Sequence, residues 1–153
     1  MRLRLVQSSP QTSSALFSSA SRLSKLSKRV VLEITERATF HRVPDVRGRV
    51  DSLRGMGYRI ALDDVGAGYA GLNTFAAVKP DIAKLDMALV RHVDTDTVKR
   101  RIVGSMTTLC KELGILVVAE GVETASERNT LIDLGCDLLQ GFLFGRPSGR
   151  PAP

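Results

Sequence analysis

The sequence of 153 residues contains no tryptophan and two cysteines, and aromatic residues fill only 5% of its positions. No apolar run approaches the roughly 20 residues of a membrane-spanning helix, so we expect no membrane segment. The two cysteines, Cys110 and Cys136, have the spacing of neither a metal site nor a redox motif. Their apolar surroundings favour buried free thiols, which predicts a reducing, cytoplasmic location.

Acidic residues are absent from the first 30 positions, which hold six Lys and Arg and nine serines. The other 16 Lys and Arg balance all 16 Asp and Glu, so the net charge of +6 belongs to this segment. The neutral remainder argues against a protein that binds DNA. We interpret residues 1–28 as a disordered tail, either a linker or a start away from a natural domain boundary. An organellar transit peptide is the less favoured alternative.

Residues 29–148 alternate between strand and helix patterns and are expected to form one domain, followed by a tail over residues 149–153. Short apolar runs rich in β-branched residues predict five buried strands. Helices are predicted between them, one capped by Asp94 or Asp96 and another opened by a capping box of Thr124 and Glu127. The predicted strands cover residues 30–34, 58–62, 81–85, 115–119 and 138–141.

Five successive strand–helix units predict a parallel sheet with right-handed crossovers, in an α/β fold. A doubly wound open sheet would normally carry a glycine-rich phosphate loop after its first strand, and this sequence has none. A TIM-like (β/α) barrel instead places chemistry at the ends of many strands, where this chain has its acids. Because such a barrel needs about 250 residues and eight strands, we expect a partial barrel of about five parallel strands without its N-terminal ones.

Two adjacent carboxylates, Asp63 and Asp64, end the second predicted strand and precede Gly66 and Gly68. Side by side in a partly buried place they would repel each other, and divalent cations would relieve that repulsion. The alternative is an Asp pair that caps a helix in a turn. The pair alone does not decide between the two interpretations.

Three further charged residues stand at or near strand ends. Glu33 could be an ordinary surface or ion-paired residue. Lys84 interrupts an apolar strand, so it either extends to solvent or serves as a buried cation near phosphate or carboxylates. Glu120 ends a run of five apolar residues, where an unpaired carboxylate would be costly, so a metal or a partner such as Lys84 is implied. Taken together, the charged residues at these strand ends indicate a functional site.

These segments resemble the later motifs of the EAL domain, the bacterial phosphodiesterases that hydrolyse cyclic di-GMP. The resemblance covers roughly residues 29–148, with the motifs in order. The motifs are Leu32-Glu33-Ile34-Thr35-Glu36, Leu62-Asp63-Asp64-Val65-Gly66-Ala67-Gly68-Tyr69, Lys84-Leu85-Asp86, Ala119-Glu120-Gly121-Val122-Glu123-Thr124 and Gln140-Gly141-Phe142-Leu143-Phe144-Gly145-Arg146-Pro147.

The resemblance implies a site with two Mg²⁺ or Mn²⁺ ions that opens cyclic di-GMP to the linear dinucleotide. It assigns Glu33 and Asp63 to the first metal, and Asp63, Asp64 and Glu120 to the second. As an alternative to binding the second metal, Glu120 would activate the attacking water. Lys84 would lie near that water and the phosphate. The supporting or substrate-binding positions would be Glu36, which braces the loop after Asp64, together with Asp86, Glu123 and Gln140.

The sequence also departs from the family pattern. It contains no Glu-Ala-Leu segment, and residues 1–7, where the family carries a metal-binding Asn, contain no Asn. Three hypotheses follow: a cyclic di-GMP phosphodiesterase in the intact parent domain, a module that binds ligand or partner protein without catalysis, and a fragment without activity. Homodimerisation and fused sensory or regulatory domains in the parent protein are further expectations.

Overall fold

The computed structural model describes residues 27–35, 45–67 and 71–146. Five strands alternate with helices in these ranges. The strands are β1 (Val31–Thr35), β2 (Arg59–Val65), β3 (Ile82–Leu85), β4 (Leu116–Glu120) and β5 (Leu138–Gln140). The helices are α1 (Val46–Gly55), α2 (Gly71–Val78), α3 (Met87–Val90), α4 (Thr97–Glu112) and α5 (Ala125–Asp133).

All strand pairings in the described sheet are parallel, and the strands lie side by side in chain order from β1 to β5. Parallel neighbours need a crossover between them, and a helix supplies that crossover in each described connection. The α/β fold with five parallel strands is therefore confirmed. Carboxyl ends of parallel strands meet at one edge of the sheet, so this topology gathers the strand-end acids.

The helices pack on one face of the sheet and form two apolar clusters there. Each cluster joins strand residues to helix residues. The larger includes Leu62, Leu85, Val117, Val103 and Leu131, and the smaller consists of Leu32, Ile60, Val50 and Val78. Since side chains alternate along a strand, the residues between these strand positions belong to the opposite face. That face carries Glu33, Asp63, Lys84 and Glu120.

Helix ends follow the predicted capping chemistry. Asp96 is the N-cap of α4 and accepts hydrogen bonds from the backbone N–H groups of Val98 and Lys99. Thr124 and Glu127 form the predicted capping box at the start of α5. Both caps satisfy N–H groups that have no partner within their helix.

The structure differs from the sequence prediction in three places. Strand β2 runs to Val65, so Asp63 and Asp64 lie within the strand and not after it. The short helix α3 was not predicted, since four residues are too few to show a helical period. Ser27–Arg29 form a 3₁₀ turn with Ser27 buried, although residues 27 and 28 belong to the predicted tail.

Other predicted features lie outside the described residues: the tail over residues 1–26, the tail over residues 149–153, and Glu36. The domain boundaries therefore stay a prediction. Across the part of the chain that the structure describes, no helix has the length and apolar character to cross a membrane.

Candidate metal centre

Asp63 and Asp64 come together because β2 is irregular at that point. Strict alternation would send two adjacent side chains to opposite faces of the sheet. The register between β2 and β3 shifts between Leu62 and Val65, and Asp64 has a left-handed backbone with φ 59°. A bulge of this kind redirects a side chain. Asp tolerates the left-handed region better than most residues, so the sequence can support the bulge.

Three carboxylates converge at the carboxyl ends of β2 and β4. One oxygen from each of Asp63, Asp64 and Glu120 lies within 4.8 Å of the others. All three residues are only partly exposed. Three negative groups this close repel one another unless a cation lies among them. The arrangement is therefore suited to a divalent cation.

Lys84 lies among these carboxylates from the neighbouring strand β3. Its Nζ is 2.8 Å from Asp63 Oδ1, 2.8 Å from Glu120 Oε1 and 3.1 Å from Glu33 Oε1. The lysine is buried, with 5% of its surface exposed. One ammonium group therefore offsets part of the charge of three acids that come from three different strands. Glu33 reaches the site through Lys84 and is not a member of the three-carboxylate group.

The ammonium group of Lys84 stays protonated at neutral pH. Burial alone would lower its pKa, but the hydrogen bond to Asp63 and the negative charges of Asp63 and Glu120 outweigh burial and raise it. Its charge is thus a fixed component of the site across the neutral range. The structure pairs Glu120 with Lys84, which is one of the two alternatives that the sequence left open.

Glu120 Oε1 is buried, and the described residues meet its hydrogen-bonding capacity only in part. Within the described residues its one close polar contact is the ion pair with Lys84 Nζ at 2.8 Å, and no backbone N–H or hydroxyl donates to it. A buried carboxylate oxygen normally has such a partner. Carboxylate oxygens are the ligands that Mg²⁺ and Mn²⁺ prefer, so these residues fit a divalent ion of that class.

The structure places the predicted supporting residues in different surroundings. Asp86 is the N-cap of α3 and accepts a hydrogen bond from Ala88 N at 2.7 Å. Glu123 forms an ion pair with Arg91 at the surface. Gln140 lies on β5 in register with Glu120. None of these three belongs to the carboxylate group within the described ranges.

Glu127 has contacts that its role as a capping residue does not explain. It is buried, and its carboxylate accepts backbone hydrogen bonds from His92, Glu123 and Thr124. The sequence pattern predicted Glu127 only as a member of the capping box. The bond from His92 joins residues 35 positions apart, and no local pattern signals it.

The family model of the EAL domain matches residues 6–147 of the chain. Cyclic di-GMP phosphodiesterase PdeL of Escherichia coli K12 is 36% identical over 119 residues, which are 78% of this chain and 33% of that protein. The manganese and cy-diGMP complex of Klebsiella pneumoniae BlrP1 superposes with a TM-score of 0.80 and 38% identity, over 90% of this chain and 36% of that one.

The EAL domain of Mycobacterium smegmatis DcpA superposes with a TM-score of 0.78 and 30% identity, over 90% of this chain and 63% of that domain. This chain therefore spans less than two thirds of the proteins with which it is compared here. The five parallel strands correspond to part of a TIM-like barrel, as the sequence predicted. With a family match over most of its length, the chain belongs to the EAL domain family.

Proposed function

We propose that this chain carries part of the active site of a domain that hydrolyses cyclic di-GMP to the linear dinucleotide with the help of divalent metal. The observation that carries the proposal is the convergence of Asp63, Asp64 and Glu120 within 4.8 Å, beside the buried Lys84. Two proteins with similar chains are connected with cyclic di-GMP: PdeL is a cyclic di-GMP phosphodiesterase, and BlrP1 forms a complex with manganese and cy-diGMP. The activity belongs to a whole domain, of which this chain spans a part.

The proposed ion is Mg²⁺ or Mn²⁺. Asp63, Asp64 and Glu120 would hold one ion, and Asp63 together with Glu33 would contribute to a second. Bound ions of this kind polarise a phosphoryl oxygen and make water a stronger nucleophile. BlrP1 has been crystallised with cy-diGMP and either calcium or manganese, which supports a divalent ion and leaves its identity to experiment.

The protein side chains have separate proposed roles around the scissile phosphodiester. Lys84 orients the carboxylates of Asp63 and Glu120 and offers positive charge to the phosphate. In the hydrolysis, the oxygen of water would bond to phosphorus while the bond from phosphorus to one sugar oxygen breaks. Glu120 would accept the proton that water loses, and the leaving sugar oxygen would take up a proton from solvent. Glu36, Asp86, Glu123 and Gln140 would support the surrounding loops or bind substrate. For Asp86 the support is the cap it provides to α3.

Binding without turnover is the second candidate function. It is favoured by the lack of any Glu-Ala-Leu segment and of Asn within residues 1–7. A module of this kind would bind cyclic di-GMP or a partner protein through the same strand ends. In either case we propose a cytoplasmic signalling protein. A homodimer, or fusion to sensory or regulatory domains, would supply its regulation.

Chromatography of cyclic di-GMP after incubation with the purified chain and Mn²⁺, together with equilibrium dialysis of the nucleotide, tests whether this chain by itself binds and hydrolyses cyclic di-GMP. We expect cyclic di-GMP to bind weakly and negligible linear product to form, because two-metal hydrolysis needs ligands that this chain lacks. Linear product that disappears in Glu120→Gln would assign catalysis to this chain as it stands. Absence of both nucleotide and Mn²⁺ binding would contradict the proposal.

A further inference from the structure

The buried carboxylate of Glu127 connects two loops at the rim of the carboxylate site. Its Oε1 accepts a hydrogen bond from His92 N at 3.0 Å. Its Oε2 accepts hydrogen bonds from Glu123 N at 3.0 Å and Thr124 N at 3.1 Å. The residue is 2% exposed. A carboxylate that accepts three backbone hydrogen bonds away from water is held rigidly and holds its donors in turn.

The two loops lead directly from the strands of the site. Residues 121–124 follow Glu120 at the end of β4. His92 lies beyond α3, which begins two residues after the end of Lys84's strand, β3. A capping box requires only the two reciprocal bonds between Glu127 and the N-cap residue Thr124: Thr124 N to the Glu127 carboxylate, and Glu127 N to the Thr124 hydroxyl. The bond from His92 is additional, and it fixes the loop of Glu120 to the segment that follows Lys84.

Other contacts show how closely these segments pack. A Cβ added at Gly121 would lie 2.7 Å from the Cβ of Met87, so the start of α3 rests against the residue that follows Glu120. Arg91 and Glu123 form an ion pair between the same two loops at the surface. Lys99 Nζ donates to Arg91 O at 2.8 Å and ties the first loop to α4. Among the charged side chains of these contacts, that of Glu127 is the buried one, whereas Arg91 and Lys99 are partly exposed and Glu123 is exposed.

We infer that Glu127 is a positioning residue for the proposed metal centre. Its carboxylate holds the end of β4 against the segment after β3, so that Glu120 stays beside Lys84 and within reach of Asp63 and Asp64. The inference rests on the proposed function, since it concerns metal binding by the same carboxylates. Glu127 itself lies outside the three-carboxylate group and would not contact the ion.

The test compares Glu127→Ala with Thr124→Ala in the full chain. Thr124→Ala removes the hydroxyl that accepts from Glu127 N at the same helix start but leaves the Glu127 carboxylate in place. Both variants should lower the melting temperature. Only Glu127→Ala should weaken Mn²⁺ binding, by about tenfold, as loss of supporting hydrogen bonds around metal ligands does. Glu127→Gln, which keeps one acceptor oxygen, should fall between Glu127→Ala and the parent.

Amide hydrogen exchange gives a readout that does not depend on metal. The amides of His92, Glu123 and Thr124 should exchange faster in Glu127→Ala than in Thr124→Ala. Equal Mn²⁺ affinity and equal exchange in the two variants would overturn the inference. If Glu127→Ala does not fold, the same comparison with Glu127→Gln decides the matter. A parent chain that binds no Mn²⁺ would contradict the proposed function instead, while exchange would still report on the connection between the loops.

Discussion

Lys84 shows at the scale of one residue why the acidic strand ends are compatible with a folded chain. Its buried ammonium group lies within 3.1 Å of oxygens from Glu33, Asp63 and Glu120. Removal of one member of a buried charge network leaves the others uncompensated. The stability of the site thus depends on this cation at least as much as on any single acid.

Lys84→Met should destabilise the chain by about 3 kcal/mol, because it removes the cation and leaves the carboxylates facing each other. Lys111→Met is the matched control, since Lys111 is exposed in the last turn of α4. Urea denaturation of both variants measures the difference. Mn²⁺ should restore part of the stability that Lys84→Met loses. Equal stability of the two variants would contradict this account of Lys84.

The two thiols give a second prediction at the residue scale. Burial, helped by the charge of Asp137, raises the pKa of Cys110 to about 11 and that of Cys136 to about 12. At pH 8 both thiols should therefore react with a disulfide reagent at least about a hundredfold more slowly in the folded chain than in urea. Since the unfolded chain releases these protons first, stability should fall as pH rises above about 8.5. Rapid labelling of the folded chain would show that the thiols are accessible thiolates.

The residue types of the site could be predicted from the sequence, but their arrangement could not. Glu120 could be predicted to need a metal or Lys84, because burial of an unpaired carboxylate is costly wherever it occurs. The left-handed backbone of Asp64 could not be predicted from the sequence, because Asp is found in many conformations and the bulge depends on pairing with β3. The bond between His92 and Glu127 depends equally on tertiary packing.

At the scale of elements, local chemistry predicted the start of helices better than their packing. The capping box of α5 depends on residues three positions apart, so it could be read from the sequence. The contact between α4 and α5 could not be predicted from the sequence. Thr107 on α4 uses its hydroxyl to bond Leu134 O, at the end of α5, at 2.6 Å, and is buried there.

Thr107→Val should destabilise the chain by about 1 kcal/mol, because it keeps the shape of the side chain and leaves the Leu134 carbonyl without this bond. Thr108→Val is the matched control. The Thr108 hydroxyl is exposed and bonds only to Gly104 O of its own helix, so its loss should have a smaller effect. Thermal melts of the two variants provide the comparison. A larger loss in Thr108→Val would argue against a role for the contact between α4 and α5.

At the scale of the whole molecule, the described sheet buries one face under helices and leaves apolar residues exposed on the other. Leu116 on β4 is 40% exposed and Leu138 on β5 is 53% exposed. On the outer side, α4 exposes Val98 and Ile102. Large exposed apolar patches are uncommon on monomeric proteins. Exposed apolar residues of this kind are expected for a chain that spans only part of an EAL domain.

The chain should therefore associate with itself or aggregate as its concentration rises. Sedimentation velocity over a range of concentrations measures this directly. The double variant Leu116→Lys, Leu138→Lys should associate less than the parent, because charge opposes burial of that face. A parent chain that sediments as a monomer at all concentrations, with a cooperative and reversible melt, would contradict the prediction.

Calorimetric titration with Mn²⁺ tests the central claim most directly, which is that Asp63, Asp64 and Glu120 form a metal site. We predict weak binding by the parent chain and a loss of at least about tenfold in each of Asp63→Asn, Asp64→Asn and Glu120→Gln, because each removes a charged ligand. Glu112→Gln, at an exposed acid on α4, should bind as the parent does. Equal Mn²⁺ affinity in all five proteins, or no binding by the parent, would contradict the claim.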